Sequence, residues 1–387
     1  MIYINGRGCV SAQKTFDGSF PDEVIAPEGY ILPVVPPPYK DYIAPAMIRR
    51  MGSGVKNGVV ASALALQEAG SPDLDAIITG TGVGCIKDSE AFLTAILENH
   101  EEFLTPTAFI QSTHNTVGAQ IALGLGCKAY NFSYVNSAVS FESALVDARL
   151  QLLSEEARTI LVGGVDEKAD YTYHLFGLAG LIKTGEGTPG ASYSEGAAFF
   201  VLSTDKQEES YGMLKDVAVM NCLEPEAVAP ALEAFLRRTG TALADIDAVV
   251  IGKNDDPQFQ EYYSVLSGGF SPEVPVIHYK HLSGEYNTAS AFGFWLAAGI
   301  LKSGYVPEAV LLSGQPGLSP GGAASNAATL GKIVSHEEAS HRAANSETAQ
   351  SGAAIRGAAI RGAAIRHILL YNQYRGIDHS FILLSGC

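Results

Sequence analysis

Apolar and β-branched residues recur along the chain in short runs that end at glycine or other turn-forming residues. Such runs, about four to eight residues long, are typical of buried strands. They predict five strands, in DAIITGTG, TILVGGVDE, GAAFFVLS, IDAVVIG and AVLLSG. Between strands, apolar residues follow a helical pattern in RRMGSGVKNGVVASALALQEAG and ASAFGFWLAAGILKSG. Because strands alternate with helices, the pattern predicts an α/β fold.

A polar stretch divides the chain into two parts of similar length. STDKQEES, residues 203–210, follows one predicted strand and precedes another strand-like run. We therefore expect an N-terminal half over residues 1–205 and a C-terminal half over residues 211–387. A chain of 387 residues is long enough for two halves that each bury a core.

The region from about residue 314 to residue 366 differs from the rest. It is rich in small and polar residues, and GAAIR occurs three times in succession from Gly352 to Arg366. A period of five fits neither helix nor strand, and solenoid repeats normally have about 20 residues or more. This composition predicts an insertion or a mobile loop, and local duplication is one possible origin of the repeat. The alternative is a stripe of arginines that contacts an acidic carrier protein.

Composition and charge exclude several classes of protein. The formal net charge of −16 argues against a nucleic-acid-binding surface, because phosphate contacts need clustered lysine and arginine. Apolar runs fall short of the roughly 18 residues of a membrane span. The start, MIYINGRGCVSAQ, lacks the basic and apolar regions of a secretory signal. We therefore expect a cytoplasmic protein.

The cysteines and histidines do not follow the spacing of a metal site. The five cysteines are scattered without a CxxC pair, as expected in a reducing compartment. HEEASH, residues 336–341, is one residue too long for HExxH. We therefore expect neither a bound metal nor a cofactor.

Other short motifs are weak. TGTGVG at residues 79–84 lacks the GxGxxG spacing of a dinucleotide loop, and no GxxxxGK[ST] phosphate loop occurs. GLSPG matches the GxSxG elbow of hydrolases through Ser319, but Pro320 follows and no apolar helix face comes next, which favours a plain loop. DHS, Asp378–Ser380, is no triad either, since neighbouring strand residues point to opposite faces.

A series of five motifs is more specific. RRMG, TGTGVG, LTPTAFIQSTHNTVGAQIALGL, ILVGGVDE and YSEGAAFFVLS occur in this order. In order and spacing they resemble landmarks of β-ketoacyl synthases, which have the thiolase-like fold of two related α-β-α-β-α halves. STHNTVGAQIAL and FESALVDA are also similar to ketosynthase-like proteins of aryl-polyene and flexirubin-type pathways. The resemblance covers most of residues 1–205 and is weaker beyond.

The resemblance implies where a nucleophile would lie. In that family a cysteine stands at the N-terminus of a buried helix, whose dipole and N–H groups lower the thiol pKa and form the oxyanion hole. The matching stretch is YNFSYVNSAVSFESALVDARLQLL. Counting from GGVDE places the cysteine position at Ala138, and counting from Arg149 places it at Ser137. The nearest cysteine, Cys127, lies in the preceding loop, so the nucleophile is expected to be absent.

The resemblance also implies two histidines, which assist decarboxylation of the extender unit. The first would stand at Ile251, in VVIGKNDDPQFQEYY. In the second loop, PVIHYKHLSGEYNTASAFG, Lys280 and Gly284 are retained and Glu285 replaces the histidine. A carboxylate there would repel an enolate. LLYNQYRGIDHSFILL occupies the place of the family's glycine-rich closing motif.

A family member that lost its catalytic residues resembles a chain-length factor. This implies a dimer, either with an active ketosynthase or with itself, that acts on fatty acyl or polyketide chains held by acyl carrier protein. The alternative is an active 3-oxoacyl synthase or acyltransferase that uses Ser137, with Glu285 or a nearby histidine. The candidate histidines are His114, His278 and His281. A lone histidine is more often structural.

Overall fold

The structure is a computed structural model that describes residues 1–312 and 365–387. Within these ranges the chain forms ten strands and eleven α-helices. The strands are β1 (Tyr3–Val10), β2 (Ala76–Gly80), β3 (Tyr130–Tyr134), β4 (Thr159–Asp166), β5 (Gly196–Ser203), β6 (Gly212–Asn221), β7 (Ala248–Ile251), β8 (Val276–His278), β9 (His367–Tyr374) and β10 (Asp378–Ser385). The helices are α1 (Pro45–Ile48), α2 (Ser53–Glu68), α3 (Ile86–Glu98), α4 (Pro106–Gln111), α5 (Thr116–Leu125), α6 (Ser140–Leu153), α7 (Asp170–Leu178), α8 (Pro225–Thr239), α9 (Gln260–Gly268), α10 (Lys280–Ser283) and α11 (Ser290–Ser303).

The strands form one mixed sheet in which the same arrangement occurs twice. From one edge the order is β3-β2-β4-β5-β1, and from the other edge it is β8-β7-β9-β10-β6. In each set the first three strands are parallel and the last two run antiparallel. The two sets join through β1 and β6, which share only the pairs Tyr3↔Met213 and Ile4↔Gly212. The described residues therefore form two five-stranded sets with matching topology.

Alternating strand residues define three apolar cores. The central core contains α6 and α11 together with residues from both strand sets, such as Val162 of β4 and Leu370 of β9. Their neighbours Leu161 and Leu369 point to opposite outer cores, which are covered by α2 and α5 and by α8 and α9. Since successive strand residues face opposite sides, continuous apolar runs are needed in strands that are covered on both faces. The layers follow the order α-β-α-β-α.

The predicted α/β class is confirmed, and most of the predicted elements are present. GAAFFVLS is β5 with the same bounds, and the two predicted helices contain α2 and α11. The predicted strand AVLLSG is wrong over its described residues. A 3-10 helix spans Glu308–Val310, and only Leu311 makes a β-bridge, to Ile277. Pro307 precedes this turn and lacks the N–H that a ladder requires.

Several expectations lie outside the described residues. These are Ser319 with its GLSPG motif, the HEEASH segment, and the GAAIR repeat up to residue 364. Within the described ranges, no helix is long and apolar enough to cross a membrane.

Candidate functional site

A sharp turn connects strand β3 to helix α6. It contains a 3-10 helix over Ser137–Val139 that leads directly into α6. Ser137 has a φ of 51°, in the left-handed region that residues other than glycine rarely adopt. Ser137 is exposed to solvent, and Ala138 is buried. Both candidates for the nucleophile position therefore lie at a strand-to-helix turn, and the buried one carries only a methyl group.

The backbone N–H of Ala138 already has an acceptor. It donates to Oδ2 of Asp378, the first residue of β10, over 3.3 Å. The other carboxylate oxygen, Oδ1, accepts from Nδ2 of Asn221 on β6 over 2.9 Å. Because Asn221 and Asp378 are cross-strand partners, the sheet holds this carboxylate in place. The group that would bind an acyl oxygen in an oxyanion hole is therefore paired with an internal carboxylate.

Alternation along β10 separates the residues of the DHS motif. Asp378 and Ser380 point toward α6, where Ser380 Oγ donates to Oε1 of Glu142 over 2.8 Å. His379 points to the other face, and its Nδ1 lies 3.1 Å from the Tyr371 hydroxyl. Since the three side chains do not converge, they form no triad. Glu142 is fully buried, and burial raises the pKa of its carboxyl group.

The loop predicted to replace the second histidine carries a buried ion pair. Lys280 Nζ lies 2.8 Å and 2.9 Å from the two carboxylate oxygens of Glu285, and both side chains are almost completely buried. Asn254 Nδ2 donates to Glu285 Oε2 over 2.6 Å. The lysine that would favour an enolate thus has its charge neutralised within the chain.

Glycine is required beside this pair. Gly284 has a φ of 72°, and a Cβ there would lie 2.4 Å from Cβ of Ser194. The turn places Glu285 next to the strand-like segment at Tyr193, with which it forms a β-bridge. The retained KxxxG spacing therefore serves the backbone geometry of the loop as well as the position of Lys280.

Ile251 does not join the Lys280–Glu285 pair. Its side chain is fully buried in the outer core, among Tyr263 and Tyr371. Val250, the residue before it, points into the central core. Asn254, three residues later in the same loop, is the residue that contacts Glu285. The assignment of Ile251 as a histidine position remains a prediction, and its side chain serves packing.

A further carboxylate, Asp166, connects loops from both parts of the chain. Its Oδ1 accepts from the backbone N–H groups of Gly82 and Val83 and from the Thr81 hydroxyl, over 2.7, 3.0 and 3.1 Å. Its Oδ2 accepts from the backbone N–H and hydroxyl of Thr288, each over 2.8 Å. Asp166 is buried at the end of β4. TGTGVG is thus a structural loop that this carboxylate attaches to the segment before α11.

The remaining candidate histidines and Cys127 make no hydrogen bond with the carboxylates of Asp378, Glu285 or Asp166 among the described residues. The rings of His278 and His281 stack with centroids 3.9 Å apart, and His281 Nε2 lies 2.9 Å from the Ala309 carbonyl oxygen. Burial lowers the pKa of both, to about 3 for His278. His114 is exposed, and Cys127 lies half-buried in the loop before β3. The described residues contain no cluster of three or more side chains able to hold a metal ion.

Three residues beside the predicted positions were not predicted as site residues. Asp378 accepts from the Ala138 N–H, Asn254 donates to Glu285, and Glu142, in the first turn of α6, accepts from Ser380. The only sequence signal was the replacement of the glycine-rich closing motif by a segment that contains Asp378. Chemically, these positions offer the Ala138 methyl group, the Lys280–Glu285 ion pair, and the carboxyl groups of Asp378 and Glu142. None of these described residues carries a thiol or an imidazole.

Comparison with known proteins gives one family match, over part of the chain. Residues 32–184 match the family model described as the β-ketoacyl synthase N-terminal domain. No curated protein matches the sequence.

Solved structures similar to this chain are ketosynthases and their relatives. The ishigamide ketosynthase/chain length factor is similar over 100% of this chain and 99% of its own, with a TM-score of 0.73 and 15% identity. A β-ketoacyl synthase from Burkholderia phymatum STM815 covers the same shares, with a TM-score of 0.72 and 17% identity. A ketosynthase in complex with its chain length factor from Xenorhabdus doucetiae is similar over 100% of this chain and 98% of its own, with a TM-score of 0.69 and 14% identity. The predicted thiolase-like fold is confirmed.

Proposed function

We propose that this chain, whose residues 32–184 match the model of the β-ketoacyl synthase N-terminal domain and whose fold is that of ketosynthases, is a non-condensing subunit of the chain-length-factor type. It pairs with an active ketosynthase and shapes the space for an acyl or polyketide chain delivered by acyl carrier protein. The observation that carries this proposal is the state of the nucleophile position. Ala138 has no reactive atom, and its N–H already donates to Asp378.

The second catalytic loop supports the same proposal. Decarboxylative condensation needs groups that stabilise a developing enolate. Here Lys280 is paired with Glu285, whose negative charge would oppose that step. The nucleophile position and this loop, which are separate in sequence, are thus both altered in the direction of an inactive site.

The surface of the N-terminal half supports association with another chain. Strand β3 is an edge strand, and its side chains Tyr130 and Phe132 are 44% and 46% exposed. Exposed edges with apolar side chains are templates for pairing with a second sheet. The helices α3, α4 and α7 bury none of their residues, and Leu97 and Leu178 on them are more than 70% exposed. Large exposed apolar patches typically mark protein interfaces.

Phe132→Glu should weaken the proposed heterodimer. Mixing the protein with the active ketosynthase of its own pathway should give a stable 1:1 complex in analytical ultracentrifugation. The charge on β3 should raise its dissociation constant at least about 30-fold, as expected for an interface hot spot of about 2 kcal/mol. The reconstituted pair should also set product length, whereas the ketosynthase alone should not.

Leu243→Glu is the matched control for this experiment. Leu243 is also a partly exposed apolar residue, 37% exposed, but lies in a 3-10 helix of the C-terminal half. The dissociation constant of this variant should stay near that of the unchanged protein. A monodisperse homodimer with no affinity for the ketosynthase would contradict the heterodimer.

A second candidate function is acyl transfer through Ser137. It is favoured by the exposure of Ser137 and by its φ of 51° at a strand-to-helix turn, a geometry that presents a side chain outward. Against it, the Ser137 hydroxyl makes no hydrogen bond within residues 1–312 and 365–387, so it lacks the base that an alcohol nucleophile requires. We therefore rank it below the subunit role.

Intact-mass measurement after incubation with an acyl-loaded carrier protein distinguishes the two functions. We expect no covalent acyl adduct on the unchanged protein, because no activated nucleophile faces the site among the described residues. Ser137→Ala should leave the spectrum unchanged, as should Ser154→Ala, an exposed serine after α6 that serves as the control. An adduct that disappears only in Ser137→Ala would replace the subunit role with the acyltransferase.

A further inference from the structure

The carboxyl groups of Asp378 and Glu142 lie beside the turn into α6, in addition to the missing nucleophile at position 138. We propose that Asp378 is a second, independent block on this site, because its carboxylate occupies the place where an acyl thioester oxygen would accept the Ala138 N–H. A thiol restored at position 138 would therefore not suffice for acylation. This inference rests on the proposed non-condensing role. It implies that acylation requires changes at both position 138 and position 378.

The Asp378 carboxylate lies against the Ala138 N–H. An oxyanion hole works when a free N–H group points at the oxygen that gains charge. Asp378 Oδ2 accepts from the Ala138 N–H at 3.3 Å, at the start of the turn into α6. No side chain of the N-cap residues caps α6 or the 3-10 helix before it, so Asp378 supplies the negative group that a helix N-terminus attracts. The same N–H and the same helix dipole cannot also stabilise a substrate oxyanion.

A second hydrogen bond holds the Asp378 carboxylate in place. Asn221 Nδ2 binds Oδ1 over 2.9 Å from the neighbouring strand, and Asp378 itself is 7% exposed. The pair lies in antiparallel register between β6 and β10. To leave the N–H, the side chain would have to give up two hydrogen bonds while staying buried, which is costly. An incoming thioester therefore competes with a fixed partner.

The charges around Asp378 also disfavour a thiolate at position 138. Glu142 lies in the first turn of α6, fully buried, and accepts from Ser380, two residues after Asp378. Lys280 is within range to influence Glu142 electrostatically, but its own ion pair is with Glu285. Among the described side chains, no cation forms a salt bridge with Asp378 or Glu142. A new negative charge at position 138 would thus lie close to the Asp378 carboxylate, which has no salt-bridge partner among the described residues.

The test compares Ala138→Cys with Ala138→Cys/Asp378→Ala. The purified proteins are incubated with the octanoyl thioester of N-acetylcysteamine, and the adduct at position 138 is followed by peptide mass mapping, which separates it from adducts on the exposed Cys222 and Cys387. In the reaction, the thiolate introduced at position 138 attacks the carbonyl carbon, a new thioester bond to the protein forms, and N-acetylcysteamine leaves as a thiolate that takes a proton from water. We expect the double variant to acylate at least about 100-fold faster, the scale of one oxyanion-hole donor.

Alkylation by iodoacetamide distinguishes an effect of Asp378 on oxyanion binding from a merely structural effect. Its reaction with a thiolate forms no oxyanion, so removal of Asp378 should change the alkylation rate by less than about 10-fold, through the thiol pKa alone. If the alanine variant folds poorly, Asp378→Ser in the same background replaces it. The serine keeps a polar group and should give the same increase in acylation rate. Thermal unfolding checks that all variants are folded.

Two results would contradict the proposed role of Asp378. One is equal acylation of Ala138→Cys and the double variants, including the absence of an adduct in all of them. The other is alkylation that rises in proportion to acylation, which would indicate access rather than oxyanion binding. Asp378→Ala without the cysteine should form no adduct. An adduct on the unchanged protein would contradict the proposed function instead, so the two failures are distinct.

Discussion

Lys280→Met should lower the free energy of unfolding by about 3–5 kcal/mol, because it leaves the buried Glu285 carboxylate without its cation. Lys280 and Glu285 are 1% and 5% exposed at their side chains, so water cannot replace the lost partner. Chemical denaturation at fixed protein concentration, followed through the fluorescence of the single tryptophan, Trp295 in the central core, measures the change.

The double variant Lys280→Met/Glu285→Gln should recover at least half of that loss. Replacing both members removes the charges together, and the glutamine oxygen still accepts from Asn254. Lys302→Met is the matched control. Its ion pair with Glu209 is equally short, 2.7 Å, but the two side chains are 34% and 76% exposed, so the loss should stay below about 1 kcal/mol. Strictly additive effects at Lys280 and Glu285 would contradict the buried pair.

Asp166→Ala should lower the free energy of unfolding by about 4 kcal/mol, near the upper end for single substitutions. The change removes the acceptor of five hydrogen bonds in a buried site, and the backbone N–H groups of Gly82, Val83 and Thr288 are left without it. Each unsatisfied buried group costs about 1–3 kcal/mol. Trp295 fluorescence during denaturation measures the change, since Thr288 lies just before α11, which carries Trp295.

Asp170→Ala is the control for Asp166. Asp170 lies four residues later and pairs with Lys168 at 2.9 Å, but its side chain is 97% exposed. Exposed pairs of this kind contribute little, so the free energy of unfolding should stay close to that of the unchanged protein. A loss for Asp166→Ala no larger than that of the control would contradict its role in joining the two loops.

The secondary structure was largely predictable because the strands are covered on both faces. GAAFFVLS and TILVGGVDE are apolar along most of their length, as a strand between two helical layers must be, and they form β5 and β4. AVLLSG has the same composition but forms a 3-10 turn over its first residues. A short apolar run does not specify whether a neighbouring strand is available, and over residues 309–312 the structure shows a single β-bridge, from Leu311 to Ile277.

The candidate site was likewise predictable only in part. Lys280, Gly284 and Glu285 lie within six consecutive residues, so their spacing was visible in the sequence, and the structure brings Lys280 and Glu285 together. Ile251 was placed by the same kind of counting, yet its side chain faces the outer core. Alternation along a strand decides the direction of a side chain, and a shift of one residue reverses it.

The sequence by itself determined the α/β class, the likeness to ketosynthases and the absence of a cysteine at Ser137 and Ala138, since these depend on local pattern and residue type. Only the tertiary structure decided that the Ala138 N–H donates to Asp378 and that Asn254 binds Glu285. These contacts join residues distant in the chain. They depend on the register of β10 against β6 and on how the sheet packs on α6, which no local pattern specifies.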